Sequence, residues 1–96
     1  MTATTLCILI YDVVDDRRRD RLHGLLKQFG HAVQYSAFEA RLTKAERRRL
    51  WERAARIVDP ATDTLILYPI ASRQEERIQT LGRPRQEVVE KTYFIM

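Results

Sequence analysis

The sequence is poor in cysteine, glycine and proline, and it has no long hydrophobic run. Of its 96 residues, one is cysteine, three are glycine and three are proline. The single thiol, Cys7, excludes an internal disulfide and a cysteine-based metal quartet, and a small buried hydrophobe is expected there. No apolar run approaches the roughly 20 residues that cross a bilayer, and the N-terminus lacks the pattern of a signal peptide. A cytoplasmic protein with no membrane partner is therefore expected.

Lysine is also scarce, since 14 of the 17 basic residues are arginine and three are lysine. The formal net charge is +4 and the sequence pI is about 9.6. The planar guanidinium group matches the geometry of phosphate better than an ammonium does, which favours a nucleic-acid partner. A soluble basic protein from a GC-rich genome would have the same composition. Composition alone leaves both explanations open.

An unbroken apolar stretch ends at an aspartate and is followed at once by basic residues. The stretch from Thr5 to Tyr11 has no polar face and is predicted to be a strand covered on both sides. Asp12 ends it, and four arginines follow within the next nine residues. A carboxylate in this place could meet both a metal ion and a phosphate. The residues themselves favour a plainer role, in which Asp12 accepts hydrogen bonds from the following turn.

Two amphipathic helices are predicted. The first starts near Asp15 or Asp16, either of which can cap it, and ends at Phe29. Gly30 then supplies a left-handed stop, and Gly24 inside the helix marks close packing.

The second helix follows a capping box formed by Thr43 and Glu46 and extends to about Val58. Its apolar face is formed by Leu50, Trp51, Ala54, Ile57 and Val58. Arg49, Arg53 and Arg56 follow a spacing of i, i+4, i+7 and form a basic stripe elsewhere on the helix.

The remaining segments are predicted to be extended. Residues 31–42 form one long strand, with a bend at Ser36, because no turn signal interrupts them. Residues 64–70 form the next strand, in which Pro69 requires a strand end or a sheet edge. Residues 72–74 form a connection, and 76–81 form a fourth strand or, alternatively, a short helix. The apolar residues at 93–96 need a partner strand, and a second subunit is a good candidate.

These elements predict one α+β domain over residues 1–96, close to a ferredoxin-like sandwich. Two amphipathic helices can cover only one face of a four-stranded sheet. Two of the strands are nevertheless apolar on both faces. The second face therefore needs another cover, and the simplest is the same face of a second chain in a two-fold homodimer.

Two motifs and their surroundings resemble a known family. The pattern comprises Tyr11-Asp12, Asp15-Asp16, Arg19, Arg21, Phe29-Gly30 and Gln34-Tyr35-Ser36-Ala37-Phe38-Glu39. It resembles the small CRISPR-associated nuclease-like protein of spacer acquisition, which works beside the CRISPR-associated integrase. The resemblance covers nearly the whole chain. Two departures are Ala32-Val33, where the family often has a basic residue, and Ala37, where it often has valine.

The resemblance implies a ferredoxin-like homodimer packed sheet to sheet, with residues 83–96 pairing with the partner subunit. It implies that Asp12 is the metal-site and catalytic aspartate, that the metal is Mg²⁺, and that the substrate is RNA or duplex DNA. One carboxylate from each chain would meet in the dimer, and magnesium needs only one or two. Other family members act as scaffolds for the integrase without nuclease chemistry.

The other candidate site residues are basic and aromatic. Nucleic-acid contacts are expected from Arg19, Arg21, Arg49, Arg53 and Arg56, although solvated helix faces would have the same pattern. Arg19 and Arg21 are two apart on a helix, so at most one of them should face Asp12. Tyr11, Ser36 and Phe38 are expected to shape the cleft, although aromatic residues in small sheets are more often core residues. Asp15 and Asp16 are expected to be helix caps.

Four other functions compete with a metal-dependent nuclease. The first is a non-catalytic dimer that holds duplex DNA for the integrase. The second is a ribonuclease toxin of related fold, which the residues do not exclude. A regulatory dimer that binds a small molecule is disfavoured by the arginine excess and the lack of a glycine-rich loop. An RNA-recognition module is disfavoured because no aromatic stacking motif lies on the strands.

Overall fold

The fold is an antiparallel sheet with two helices packed on one face. The computed structural model describes residues 3–83. The strands are β1 (Thr5–Asp12), β2 (His31–Gln34), β3 (Ala37–Leu42) and β4 (Thr64–Ile70), and the helices are α1 (Asp16–Lys27), α2 (Lys44–Ala55) and α3 (Ser72–Glu75). The sheet order is β2-β3-β1-β4. This is the predicted ferredoxin-like arrangement. The predicted terminal strand, and all of the segment 83–96 except Arg83, lie outside the described residues.

Both long helices begin at the predicted caps. The Asp15 side chain accepts a hydrogen bond from the backbone N–H of Arg18 at 2.9 Å, which caps α1. At α2, the N–H of Glu46 donates to Thr43 Oγ1 at 3.0 Å, and the N–H of Thr43 donates to Glu46 Oε1 at 2.8 Å. These bonds satisfy N–H groups that a helix start otherwise leaves without partners. Both helices end two or three residues before the predicted positions.

Glycine has a different role in this chain from the predicted one. Gly30 does not have a positive φ angle, so it is not a left-handed stop. A Cβ atom at this position would overlap the carbonyl oxygen of Glu39 and would lie 2.7 Å from the Cβ of Ala40. Gly30 is therefore needed because the chain approaches β3 closely. At Gly24 an added Cβ would meet nothing within 4 Å, so the prediction of close packing there is wrong.

The predicted long strand over residues 31–42 is a hairpin of β2 and β3. Tyr35 and Ser36 form a two-residue turn between them, and the register shifts between Ala32 and Gln34. Within residues 3–83 no residue except glycine has a positive φ angle, so this turn uses none of the residues that mark a left-handed hairpin turn. Contacts with β1 hold it instead: the N–H of Tyr11 donates to the carbonyl of Ser36 at 3.0 Å.

The segment after β4 also differs from the prediction. Pro69 lies near the end of β4, which is an edge strand, as predicted. Helix α3 occupies the predicted connection, and no strand forms over residues 76–81. The predictions of a connection over 72–74 and of a fourth strand over 76–81 are both wrong, and the short helix lies before the segment for which the alternative placed one. Helix α3 contacts β1, and Glu75 in α3 forms an ion pair with Arg41 of β3 at 2.9 Å.

The core lies between the helices and one face of the sheet. Its buried members are contributed by β1 (Cys7, Leu9, Tyr11), the loop residue Val13, α1 (Leu22, Leu25, Leu26), β3 (Phe38, Ala40, Leu42) and α2 (Leu50, Ala54). Trp51, predicted to lie on the apolar face of α2, is 44% exposed beside Leu65 and Ile66 of β4. It is exposed because β4 is the edge strand among residues 3–83, so no further strand of that part of the chain extends beneath the helix. None of the helices within residues 3–83 is long and apolar enough to span a membrane.

Candidate functional site

Asp12 lies at the end of β1 on the face of the sheet away from the helices. Side chains alternate along a strand, and Cys7, Leu9 and Tyr11 point into the core, so Asp12 points to the opposite face. It is exposed, and its Cα pairs with Thr64 at the start of β4. The turn at Ser36 lies on its other side. The carboxylate therefore stands at one end of the sheet, accessible from outside.

Apolar side chains share this face with Asp12. In the strand register, Ile8 pairs with Tyr68 and Ile10 pairs with Ile66. Three of these side chains are substantially exposed: Ile10 by 41%, Ile66 by 44% and Tyr68 by 48%. We call this surface, comprising Ile8, Ile10, Asp12, Ile66 and Tyr68, the open sheet face. A contiguous group of exposed apolar side chains is typical of an interaction surface.

The loop after Asp12 is held by a buried carboxylate, Asp63. The Asp63 side chain is fully buried and accepts hydrogen bonds from Arg18 Nε at 2.8 Å and Arg18 Nη2 at 3.2 Å. It also accepts from the N–H of Val14 at 3.1 Å, the N–H of Asp59 at 2.9 Å and the hydroxyl of Thr62 at 3.1 Å. The hydrogen bond from the Arg18 guanidinium has the largest effect, and together these bonds hold the pKa of Asp63 well below its usual range.

The Asp63 cluster, comprising Asp63, Arg18, Val14, Asp59 and Thr62, was not predicted from the sequence. The available signal was a turn, 59–63, that ends in an aspartate directly before a strand. That signal does not reveal a partner 45 residues earlier in the chain. The cluster joins the loop after β1, helix α1 and the turn before β4.

Tyr11 and Phe38 lie beneath the site and do not line it. Tyr11 is 4% exposed and Phe38 is fully buried. The Tyr11 hydroxyl donates to the carbonyl of Tyr35 at 3.2 Å and lies 3.1 Å from Nδ1 of His23. Burial raises the pKa of this hydroxyl. The two rings therefore support the hairpin turn from inside, whereas Ser36 is exposed at the turn itself.

Arg19 and Arg21 point in different directions, as their spacing predicts. Arg19 Nε donates to the carbonyl of Val13 at 3.1 Å, and its Nη1 bonds Asp16 at 2.6 Å. This hydrogen bond with Asp16 raises the pKa of Arg19. Arg19 thus lies close to the residue that follows Asp12. Arg21 instead lines a groove between α1 and α2, on the helix layer.

The predicted site residues therefore form two separate groups. Asp12, Ser36 and Arg19 lie near one end of the sheet. Arg21 lies in the α1–α2 groove with Arg53 and Arg56 of α2, while Arg49 stacks on Phe29 with its guanidinium carbon 5.9 Å from the ring centroid. Within residues 3–83, no group of three or more His, Cys, Asp or Glu side chains is arranged to hold a metal ion. If Asp12 binds a metal ion, the other ligands would therefore have to be a carboxylate from a second copy of the chain, substrate oxygens or water.

Comparison with known proteins identifies relatives over most of the chain. The family model described as "CRISPR associated protein Cas2" matches residues 5–78. A relative from Synechocystis sp., named CRISPR-associated endoribonuclease Cas2 3, is 35% identical over 79 residues, or 82% of this chain and 86% of the relative. A relative from Thermus thermophilus, named CRISPR-associated endoribonuclease Cas2, is 36% identical over 88 residues, or 92% of this chain and 94% of the relative.

Solved structures share the fold. A crystal structure of a hypothetical protein from Thermus thermophilus aligns with a TM-score of 0.76 at 37% identity, covering 84% of this chain and 94% of that chain. A chain in a structure titled as a partial Cas6-RT-Cas1–Cas2 complex aligns with a TM-score of 0.68, covering 88% of this chain and 99% of that chain. Because the sequence identity is 21%, this second alignment shows a shared fold alone. The family match and the two relatives together show that the chain belongs to the CRISPR associated protein Cas2 family.

Proposed function

We propose that this protein is a magnesium-dependent nuclease of CRISPR adaptation that hydrolyses phosphodiester bonds in RNA or duplex DNA, with Asp12 as its metal ligand. The observation that carries the proposal is the position of Asp12, an exposed carboxylate at a strand end on the open sheet face. The names of the two relatives, both endoribonucleases, support it. The proposal includes a cytoplasmic location, with which a free buried Cys7 is compatible.

The proposed active form is a homodimer packed through the open sheet face. Two-fold packing of this face would bring one Asp12 from each protomer towards a shared cleft. Magnesium is commonly held by one or two carboxylates together with waters and substrate oxygens, so two Asp12 side chains meet its requirements. Bound magnesium would supply the positive charge that polarises a phosphoryl oxygen and the water for in-line attack. The chain's own part is to hold the carboxylates rigidly, and the Asp63 cluster supports this by fixing the loop that follows.

A non-catalytic scaffold is the second candidate function. It is favoured by the positions of Arg21, Arg53 and Arg56, which lie on the helix layer away from Asp12. In this case the protein would hold duplex DNA for the CRISPR-associated integrase. The family match over residues 5–78 supports the CRISPR-associated integrase as a partner under either function.

The deciding experiment measures cleavage and binding on the same samples. Labelled single-stranded RNA and duplex DNA are incubated with pure protein, with and without magnesium. Asp12→Asn removes the proposed ligand, and Asp20→Asn removes an exposed carboxylate from α1 as the matched control. We expect Asp12→Asn to lower the cleavage rate by roughly 100-fold or more, equivalent to about 3 kcal/mol of transition-state stabilisation, without loss of binding.

Two outcomes contradict the nuclease. If wild type binds nucleic acid but cuts neither substrate in magnesium, the scaffold is the better function. If Asp12→Asn and Asp20→Asn cleave as fast as wild type, the activity resides elsewhere or in a contaminant.

A further inference from the structure

Three groups from different elements form a chain of hydrogen bonds beneath the candidate site. The Tyr11 hydroxyl of β1 donates to the carbonyl of Tyr35, in the turn between β2 and β3, at 3.2 Å. The same oxygen lies 3.1 Å from Nδ1 of His23 in α1. The N–H of Tyr11 also donates to the carbonyl of Ser36 at 3.0 Å, so this turn lies directly beside Asp12. His23 is thus connected, through one side chain, to the backbone that flanks the candidate metal ligand.

The number of available hydrogens fixes the role of each group in this chain. A tyrosine hydroxyl has one hydrogen, and a backbone carbonyl can only accept. Since that hydrogen goes to Tyr35, the hydroxyl oxygen accepts from the imidazole. His23 must then carry a proton on Nδ1, which fixes its tautomer when the ring is neutral. An acceptor in the place of Nδ1 would instead compete with Tyr35 for the hydroxyl hydrogen.

Packing holds the His23 ring in this orientation. The ring meets Phe38 edge to face, with the centroids 5.1 Å apart and the ring planes at 74°. Phe38 and Tyr11 are buried, and His23 is half-buried. Hydrogen bonds strengthen one another in such surroundings, and a buried oxygen that loses a partner is costly. A donor at His23 therefore strengthens the bond that Tyr11 makes to the turn.

We propose that His23 is a positioning residue for the reaction at Asp12. It acts through the Tyr11 hydroxyl, which ties the hairpin turn to the end of β1. The inference rests on the proposed nuclease function, because it concerns the geometry around the proposed metal ligand. A fixed turn keeps the edge of the site at a constant distance from Asp12, and small errors of alignment slow a reaction. His23 lies on the helix layer, whereas Asp12 points to the opposite face of the sheet, so His23 does not act on the substrate directly.

Two variants of nearly equal size separate hydrogen bonding from packing. His23→Asn places an amide N–H close to the position of Nδ1. His23→Leu removes the donor and keeps an apolar contact with Phe38. Leucine is the better helix former, so a purely structural effect on α1 would favour His23→Leu over His23→Asn. The proposal predicts the opposite order.

Amide hydrogen exchange and NMR measure the chain of hydrogen bonds without any cleavage. The Tyr11 N–H, which donates to the turn, is compared with the Leu9 N–H in the middle of β1, so that changes in global stability cancel. Relative to Leu9, Tyr11 should exchange about 3- to 10-fold faster in His23→Leu and within about twofold of wild type in His23→Asn. Imidazole nitrogen shifts should show the Nδ1–H tautomer of His23 in wild type at a pH where the ring is neutral.

Cleavage kinetics test the effect on the reaction. With RNA or duplex DNA in magnesium, His23→Leu should lower kcat by about 3- to 10-fold and leave KM within about twofold of wild type. His23→Asn should restore kcat. A change confined to KM would contradict a role in aligning the site.

Three further results would overturn the proposal. His23 could be in the Nε2–H tautomer, or the exchange of Tyr11 could follow helix propensity and be slower in His23→Leu than in His23→Asn. The turn could also loosen in His23→Leu without any loss of kcat, in which case its position has no consequence for the reaction. If wild type cleaves nothing, the proposed nuclease fails, and the tautomer and exchange measurements alone decide whether His23 holds the turn.

Discussion

At the scale of single residues, Gly30 and Gly24 occupy positions with opposite steric demands. A Cβ at Gly30 would overlap backbone atoms of β3, which cannot move aside without shifting the strand. A Cβ at Gly24 would project into open space from the exposed side of α1. The sequence predicted a left-handed stop at Gly30 and close packing at Gly24, whereas the neighbouring backbone shows that the close approach is at Gly30.

Substitution by alanine should therefore have opposite effects at the two positions. We expect Gly30→Ala to lower the free energy of unfolding by about 1 to 3 kcal/mol, because overpacking forces the backbone apart. Gly24→Ala should raise it by up to about 1 kcal/mol, because alanine favours the helix. Urea unfolding followed by circular dichroism measures both. A Gly30→Ala variant as stable as wild type would show that β3 is not packed as closely as described.

At the scale of secondary-structure elements, Asp63 is the main polar connection between β1, α1 and the turn before β4. Its side chain accepts from two backbone N–H groups, of Val14 and Asp59, and from the side chains of Arg18 and Thr62. A buried carboxylate is stable only if it is paired in this way. The cluster therefore makes the packing of these elements dependent on one ionised group.

This dependence predicts how stability changes with pH. The folded-state pKa of Asp63 lies below its ordinary value of 3.8. The stabilisation from this group is therefore complete well above pH 3.8 and is lost as the pH falls through that value towards the lower folded-state pKa. Asp63→Asn should lower the melting temperature at pH 7, and the difference from wild type should shrink as the solution is acidified.

Thermal unfolding monitored by circular dichroism at several pH values checks this prediction. Asp20→Asn serves as the control, because it removes a carboxylate from the exposed surface of α1. A difference between wild type and Asp63→Asn that is independent of pH would contradict the role of the ionised carboxylate.

At the scale of the whole molecule, one face of the sheet is covered and the other face is partly exposed. The helices α1 and α2 cover the first. On the second, Ile10, Ile66 and Tyr68 are exposed around the end of β1 that carries Asp12. A homodimer through this face would bury these side chains and would complete the proposed metal site in one step.

A charge in this face should prevent the dimer. We expect Tyr68→Arg to weaken self-association by roughly 100-fold or more, because it places unpaired charges on both sides of a two-fold interface. Sedimentation equilibrium measures the dissociation constant. Trp51→Arg is the matched control, since Trp51 is similarly exposed but lies on the helix side. Dimers that persist in Tyr68→Arg, or dissociate only in Trp51→Arg, would show that another surface joins the subunits.

The sequence by itself determined the features that depend on local chemistry. The Asp15 cap, the Thr43–Glu46 capping box and the existence of strand β1 follow from side chains within a few residues of one another, so they were predictable. The fold class followed from two amphipathic helices and strands that are apolar on both faces.

Only the tertiary structure decided the features that depend on residues far apart in the chain. The hairpin turn at Tyr35 and Ser36 is held by Tyr11 of β1, and the role of Gly30 is set by the backbone of β3. The Asp63 cluster joins residues some 45 positions apart. The same folding separated four of the five predicted arginines, all except Arg19, from Asp12, because the sheet lies between the helix layer and the open sheet face. Such contacts have no signature in a local pattern, since they form only when distant elements pack.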